Sequence, residues 1–173
     1  CITHMWKDKQ YLIDTLEKER QNYQSSLEKA WKLFRDYPYM GPFMAYEVVT
    51  DLRDTYLLED AHDVNTWANA GPGAMRGLNR LTGRPLKFTS TLHPWQEEMY
   101  DLLCIANDRL DRDWTFPSHG QKFELREIEG GLCEFDKYSR ILKNEGRTRG
   151  LYKYNKELPI VEDLINGESK WVE

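Results

Sequence analysis

The stretch from Cys133 to Arg140, CEFDKYSR, concentrates groups able to do chemistry. On a helix, Glu134, Lys137 and Tyr138 share one face at spacings of three and four, and Cys133, Asp136, Lys137 and Arg140 form an overlapping one. Acids and bases so spaced can converge on a ligand, a carboxylate accepting a proton while the cations neutralise an anion. The same spacing also builds a salt-bridged surface helix, and charge pattern alone leaves both readings open. A second feature is Asn69 to Pro85, NAGPGAMRGLNRLTGRP, which carries three arginines and no acid. Gly71-Pro72-Gly73 is a turn that aims amides at a helix start, with Arg76 in the first turn and Arg80 one turn on, and this suits phosphate or pyrophosphate. Glycines and prolines also simply end one helix and begin another. Glu47 and Asp51, one turn apart, are a second acidic pair or a solvated face.

Composition narrows the function classes. The 173 residues and 40% hydrophobic content are those of one globular domain, and the start at Cys1 with aromatics close behind reads as a segment of a longer polypeptide. No apolar run approaches the roughly 18 residues of a membrane span and no secretory leader opens the chain, so the expectation is a soluble, cytoplasmic protein with no membrane partner. Three cysteines and four histidines lack metal-type spacing, which argues against a disulfide framework and against a His or Cys metal centre. The net charge of -5 counts against indiscriminate nucleic-acid binding. Its distribution is uneven: Arg76 to Lys87 contains only basic charges, and Lys137 to Lys156 has seven bases against Glu145. One face for a polyanion, or two solvated helix faces, would each account for this.

The elements that position these groups read as helices. Apolar residues from Asp8 to about Gln24 recur at helical spacing, and SSLEKAWKLF starts a second helix with Ser25 as cap, Glu28 reaching back and Leu27, Ala30, Trp31 and Phe34 as its buried stripe. Pro38 stops it, Gly41 permits a tight turn and Pro42 opens the next helix. A short helix is expected over Ala74 to about Leu81, and a long one after Pro94 with Trp95, Met99, Leu102, Leu103 and Ile105 inward. The segment FELREIEGGLCEFDKYSRILKN forms one helix, or two broken at Gly130 and Gly131, with Gly146 as a stop. Nothing reads as a sheet, so the fold class is all-α, with a domain over 1–155 and a polar tail over 156–173.

The hairpin YPYMGPFMA resembles the helix-hairpin-helix of base-excision DNA glycosylases, with Tyr39 at the first glycine position and Gly41 at the helix start, where amides and dipole can hold a phosphate. Aligning GPGAMRGLNRL with the following glycosylase segment puts Gly71 where the catalytic aspartate would be, so no glycosylase activity is expected. Taken together and in order, GPFMAYEVVTDL, AGPGAMRGLNRLTGRP and LCEFDKYSRILKNEGRTRGLY resemble the glycosylase-like helical family of phage thymine hypermodification, over about Leu33 to Tyr152. Its members include the helical domain of 5-hydroxymethyluracil DNA kinases and the alpha-glutamyl or putrescinyl thymine pyrophosphorylases.

The resemblance implies chemistry on a base already in DNA, in which a hydroxymethyl group becomes a pyrophosphate ester that an amine displaces. It implies a partner DNA containing modified thymine or uracil and a small amine or amino acid. Glu134, Asp136 and Lys137 are then the catalytic candidates: a carboxylate deprotonates the amine or holds magnesium, while Lys137, Arg140, Arg147 and Arg149 neutralise the leaving pyrophosphate. Gly41, Gly71, Gly73, Arg76, Arg80 and Tyr138 complete the DNA and phosphate contacts, and Gly41, Gly71, Gly73 and Arg76 are expected to line one concave surface with Lys137, Arg140, Arg147 and Arg149. Trp67, just before the turn, is the candidate to stack a flipped base, with core packing as the alternative. The chain contains no Gly-Lys dipeptide for a phosphate loop, so no cofactor is expected within it, and ATP enters only with a kinase domain upstream. A non-catalytic DNA-recognition domain of such a kinase is the alternative.

Overall fold

The first half of the chain builds an apolar cluster from helices that local signals start and stop. The computed structural model describes residues 2–109 and 123–145. Helices α1 (Ile2–Lys7) and α2 (Lys9–Gln21) precede α3 (Leu27–Arg35), and α2 buries only Leu12 and Leu16, as a surface helix with one narrow apolar stripe should. The cap of α3 lies one residue beyond the expected Ser25. Ser26 accepts from the Lys29 amide, and the buried Asp63 carboxylate, far along the chain, accepts from Ser26 Oγ at 2.7 Å and from the Leu27 and Glu28 amides at 2.7 and 3.0 Å. A carboxylate on three donors at a helix start satisfies the amides that lack intrahelical partners.

Between α3 and α4 (Pro42–Leu52) the hairpin turns on Tyr39 rather than on Gly41. Tyr39 adopts a left-handed backbone with φ 63°, while Gly41 is extended at φ -66° and caps α4, with Pro42 in the first turn. Leu27, Ala30 and Phe34 of α3 meet Ala45 and Val49 of α4 in the first cluster, which Leu57, Leu58 and Ala61 complete.

The second cluster joins α5 (Pro72–Thr82), α6 (Trp95–Arg109) and α7 (Leu125–Leu142) around Ala74, Leu78, Met99, Leu103, Leu125 and Leu132. Trp31 and Trp67 pack against both clusters, and Tyr46 of α4 belongs to the second. Of the apolar positions expected on α6, Trp95, Met99 and Leu103 are buried and Ile105 is exposed. Helix α7 runs unbroken through Gly130 and Gly131. Its start is fixed by a capping box between Glu124 and Glu127 and by Arg53, whose guanidinium donates to both oxygens of the buried Glu124 carboxylate at 2.5 and 3.1 Å. The chain is all-helical among the described residues, and none of its helices is long and apolar enough to cross a membrane. Gly146, Arg147, Arg149 and the expected tail lie outside the described residues.

Candidate functional site

Two glycines on α5 let it lie directly against α7. A Cβ on Gly77 would stand 2.5 Å from the Leu132 carbonyl oxygen, and one on Gly73 would stand 2.7 Å from Cys133 Sγ. No side chain fits at Gly77 without moving backbone, so this spacing of glycines sets the helix separation. It brings the Gly-Pro-Gly turn and the arginines of α5 onto one long face of α7, where two buried acids wait at 129 and 136.

At the C-terminal end, Asp136 is fully buried and gathers the basic residues. Arg76 Nε donates to Oδ2 at 2.8 Å, Arg80 Nε donates to Oδ1 at 2.9 Å, and Arg140 Nε stands 3.3 Å from Oδ2. Arg80, itself nearly buried, also bonds Glu145 at 2.6 Å. Burial works against the Asp136 charge, but the Arg76 and Arg80 hydrogen bonds outweigh it and hold the carboxyl below the usual carboxylate range. Asp136 is thereby a counter-ion locking α5 to α7, and Arg76 and Arg80, expected to face phosphate, spend their Nε donors on it.

At the N-terminal end of the interface the surroundings are different. Glu129 is 9% exposed, and its Oε1 accepts from the Gly71 amide at 3.4 Å and from Cys133 Sγ at 3.5 Å. Its Oε2 has no hydrogen-bond partner among the described residues and is not sealed from solvent. No cation forms an ion pair with it among the described residues. Burial raises its pKa, and the Gly71 amide and Cys133 only partly offset this; Glu47 pushes further up and Lys137 pulls down. The Tyr46 hydroxyl is buried and without a hydrogen-bond partner, and burial followed by the Glu129 charge raises its pKa. Cys133, which accepts from the Ala74 amide, is pushed up to about 12 by burial and by Glu129, so it is a thiol and not a nucleophile at neutral pH. The α5 amides expected to meet an external anion thus meet Glu129 and Cys133.

The other expected residues surround this core. Glu134 and Lys137 form an exposed ion pair with each other, and Tyr138 is 61% exposed on the outer face of α7. Glu47 and Asp51 are exposed on α4. Trp67 is half-buried, with its ring 5.6 Å from Trp31 and 5.7 Å, edge-on, from Tyr46. Gly41 is open to solvent at the start of α4, and the neighbouring Pro42 carbonyl accepts from Trp31 Nε1 at 2.9 Å and Asn69 Nδ2 at 3.3 Å, which ties that start to the segment entering α5. Among the described residues no group of three His, Cys, Asp or Glu could hold a metal. Sequence reasoning missed Glu129 and Tyr46. The signal was present, because Leu125, Glu129, Leu132, Asp136 and Ser139 share the buried stripe of α7, and an acid on an apolar stripe is the informative exception.

Comparison with known proteins agrees with this architecture. A family model described as "5-hmdU DNA kinase, helical domain" matches residues 3–148. A protein of Bacillus phage SP10 named "5-hmdU DNA kinase" is 27% identical over 146 residues, covering 79% of this chain and 22% of the phage protein. The chain therefore spans about a fifth of that relative's length. No solved structure matches. With a family match running over most of a chain that is all-helical where described, the protein belongs to the family of 5-hmdU DNA kinase helical domains.

Proposed function

We propose that this domain binds DNA containing 5-hydroxymethyluracil and presents the modified base to phosphoryl-transfer machinery outside this chain. Membership of the kinase helical-domain family carries the reading, since the matched region is a small part of a longer kinase. The outer face of α7 supports it: Lys137 and Tyr138 are exposed there, Lys143 is exposed just past its end, and Arg140 keeps about a third of its side-chain surface. Cations and an aromatic on one helix suit a phosphate backbone and an unstacked base. Arg147 and Arg149, which follow in sequence, would extend this contact. Magnesium and ATP belong to the phosphoryl transfer and would be held outside this chain.

Titration against oligonucleotides identical except for one central base tests this. Tighter binding to 5-hydroxymethyluracil than to thymine is the expected result, and equal affinities contradict it. A finer reading, displacement of pyrophosphate by a small amine, is favoured by a buried acid and Lys137 on one helix. Incubating pyrophosphorylated DNA with the chain and candidate amines, followed by mass analysis of nucleosides, would yield an amine adduct under that reading and only unchanged or hydrolysed base under the recognition reading.

A further inference from the structure

Helix α2 ends in a backbone conformation that favours glycine, yet a tyrosine stands there. Tyr23 has φ 56° just past the Asn22 cap, where the Gln24 amide closes the helix on the Glu19 carbonyl at 2.9 Å, and it is 96% exposed. A bulky residue held left-handed with its ring in solvent adds nothing to the core, so the fold does not account for it. The ring forms part of the wall of an open cleft of about 620 Å³ between α2 and the turns that follow α4. Half-exposed Tyr56 lines the cleft as well, with Glu17, Arg20, Asp60 and the buried Ser25. A space of this size with aromatic walls and a few polar groups has the form of a ligand site.

The charges decide what fits. Arg20 is committed: its Nη2 bonds Glu59 at 2.6 Å and its Nε bonds Asp60 at 3.2 Å, so an anion would have to displace two carboxylates to reach it. Glu17 accepts from the Tyr56 hydroxyl at 3.0 Å and forms no ion pair among the described residues. Three carboxylates against one guanidinium leave the cleft negative. No group of acids, histidines or cysteines among the described residues is arranged to hold a metal ion, whereas ring faces attract organic cations. The Tyr56 ring already has the Arg20 guanidinium 5.9 Å from its centroid, and the Tyr23 ring carries no such cation among the described residues. Ser25 lines the cleft with its hydroxyl unpartnered.

We propose that this cleft binds an alkylammonium group, with the charge against Glu17 and Asp60, the methylenes along the Tyr23 and Tyr56 rings and the Ser25 hydroxyl as a neutral acceptor. The occupant is not the DNA proposed above. None of the residues lining the cleft belongs to α5, α6 or α7, and its negative charge repels phosphate.

The full chain is titrated with cadaverine and with a lysine capped at both ends as amides, with pentanol as the uncharged control, while the tyrosine ring resonances are followed by NMR. Both amines are expected to shift the Tyr23 and Tyr56 rings saturably, and pentanol is expected to leave them in place. Y23G removes the ring at a backbone position that glycine prefers, so it should melt no lower than wild type and weaken amine binding by about threefold. E17Q keeps an acceptor for the Tyr56 hydroxyl but loses the charge, and should weaken binding by about threefold. E97Q removes one exposed acid from α6 and should change nothing. Equal weakening by E97Q and E17Q would reduce the effect to net charge and overturn the site. So would unchanged binding by Y23G, or pentanol shifting the rings as the amines do. Whichever amine binds more tightly identifies the source of the ammonium group, a free amine for cadaverine and a protein side chain for the capped lysine.

Discussion

Asp136 and Glu129 lie two turns apart on the same buried face of α7, yet one is ringed by arginines and the other meets only an amide and a thiol. Burial opposes both charges. At Asp136 the guanidinium hydrogen bonds win and the pKa falls; at Glu129 nothing of comparable strength stands opposite and it rises. The difference separates two uses of a buried acid. The first fastens helices, and its partners are present within the fold. The second keeps an oxygen that the fold does not use, and its charge goes uncompensated.

Removing the satisfied acid should have the largest effect. D136A leaves the buried Arg80 with Glu145 alone as counter-ion and frees Arg76 and Arg140, so urea unfolding should show a loss of about 3 kcal/mol. A loss under about 1 kcal/mol would mean that the arginines find other partners and that the lock is not at Asp136. Next comes the contact that places both acids. Gly77→Ala drives a Cβ into the Leu132 carbonyl and should cost about 2 kcal/mol, whereas Gly73→Ala meets the end of the Cys133 side chain, which can turn, and should cost less. Equal costs at the two positions would show that the helices are not in backbone contact at Gly77.

E129Q should act in the opposite direction to D136A, raising the urea midpoint at neutral pH. A carboxyl whose pKa is raised by folding contributes stability below its unfolded pKa and loses that contribution as pH rises through the folded value, so its removal helps most on the alkaline side. Asp136, with its pKa lowered, contributes above its unfolded pKa and loses that as pH falls through the folded value. Stability profiles of the two variants against pH should therefore diverge from wild type at opposite ends. The smallest effect is expected at the exposed pair: Glu134→Gln should change stability by less than about 0.5 kcal/mol, as solvent and salt screen it.

The sequence pattern made the helices legible where the signal was local. Prolines open α4 and α6 as expected, and the apolar stripe of α3 is buried apart from Trp31, which is half-exposed. Two boundaries were hidden by distant partners. The α3 cap shifts to Ser26 because Asp63 reaches its amides, and α7 survives two glycines, each worth up to about 1 kcal/mol of helix preference, because its flanks are pinned by Arg53 and Asp136. The site was legible only in outline. Charge spacing on 133–140 points to Glu134 and Lys137, the solvated face, since runs of alternating charge are what a surface helix shows. Glu129 stands outside that run, and its importance lies in a missing cation, which no sequence pattern displays. Likewise the Gly-Pro-Gly turn and Arg76 read as an anion site, and they do meet anions, but those of Glu129 and Asp136.

The central claim is that α7 holds one paired and one unpaired buried acid. Direct titration of the side-chain carboxyl carbons by NMR, in protein labelled at Glu and Asp and assigned with E129Q and D136N, measures both groups in one experiment. The account predicts a Glu129 midpoint above the usual glutamate value of about 4.3 and an Asp136 midpoint below the usual aspartate value of about 3.9. A Glu129 midpoint at or below the usual value would show that a cation or donor satisfies it, and would contradict the account.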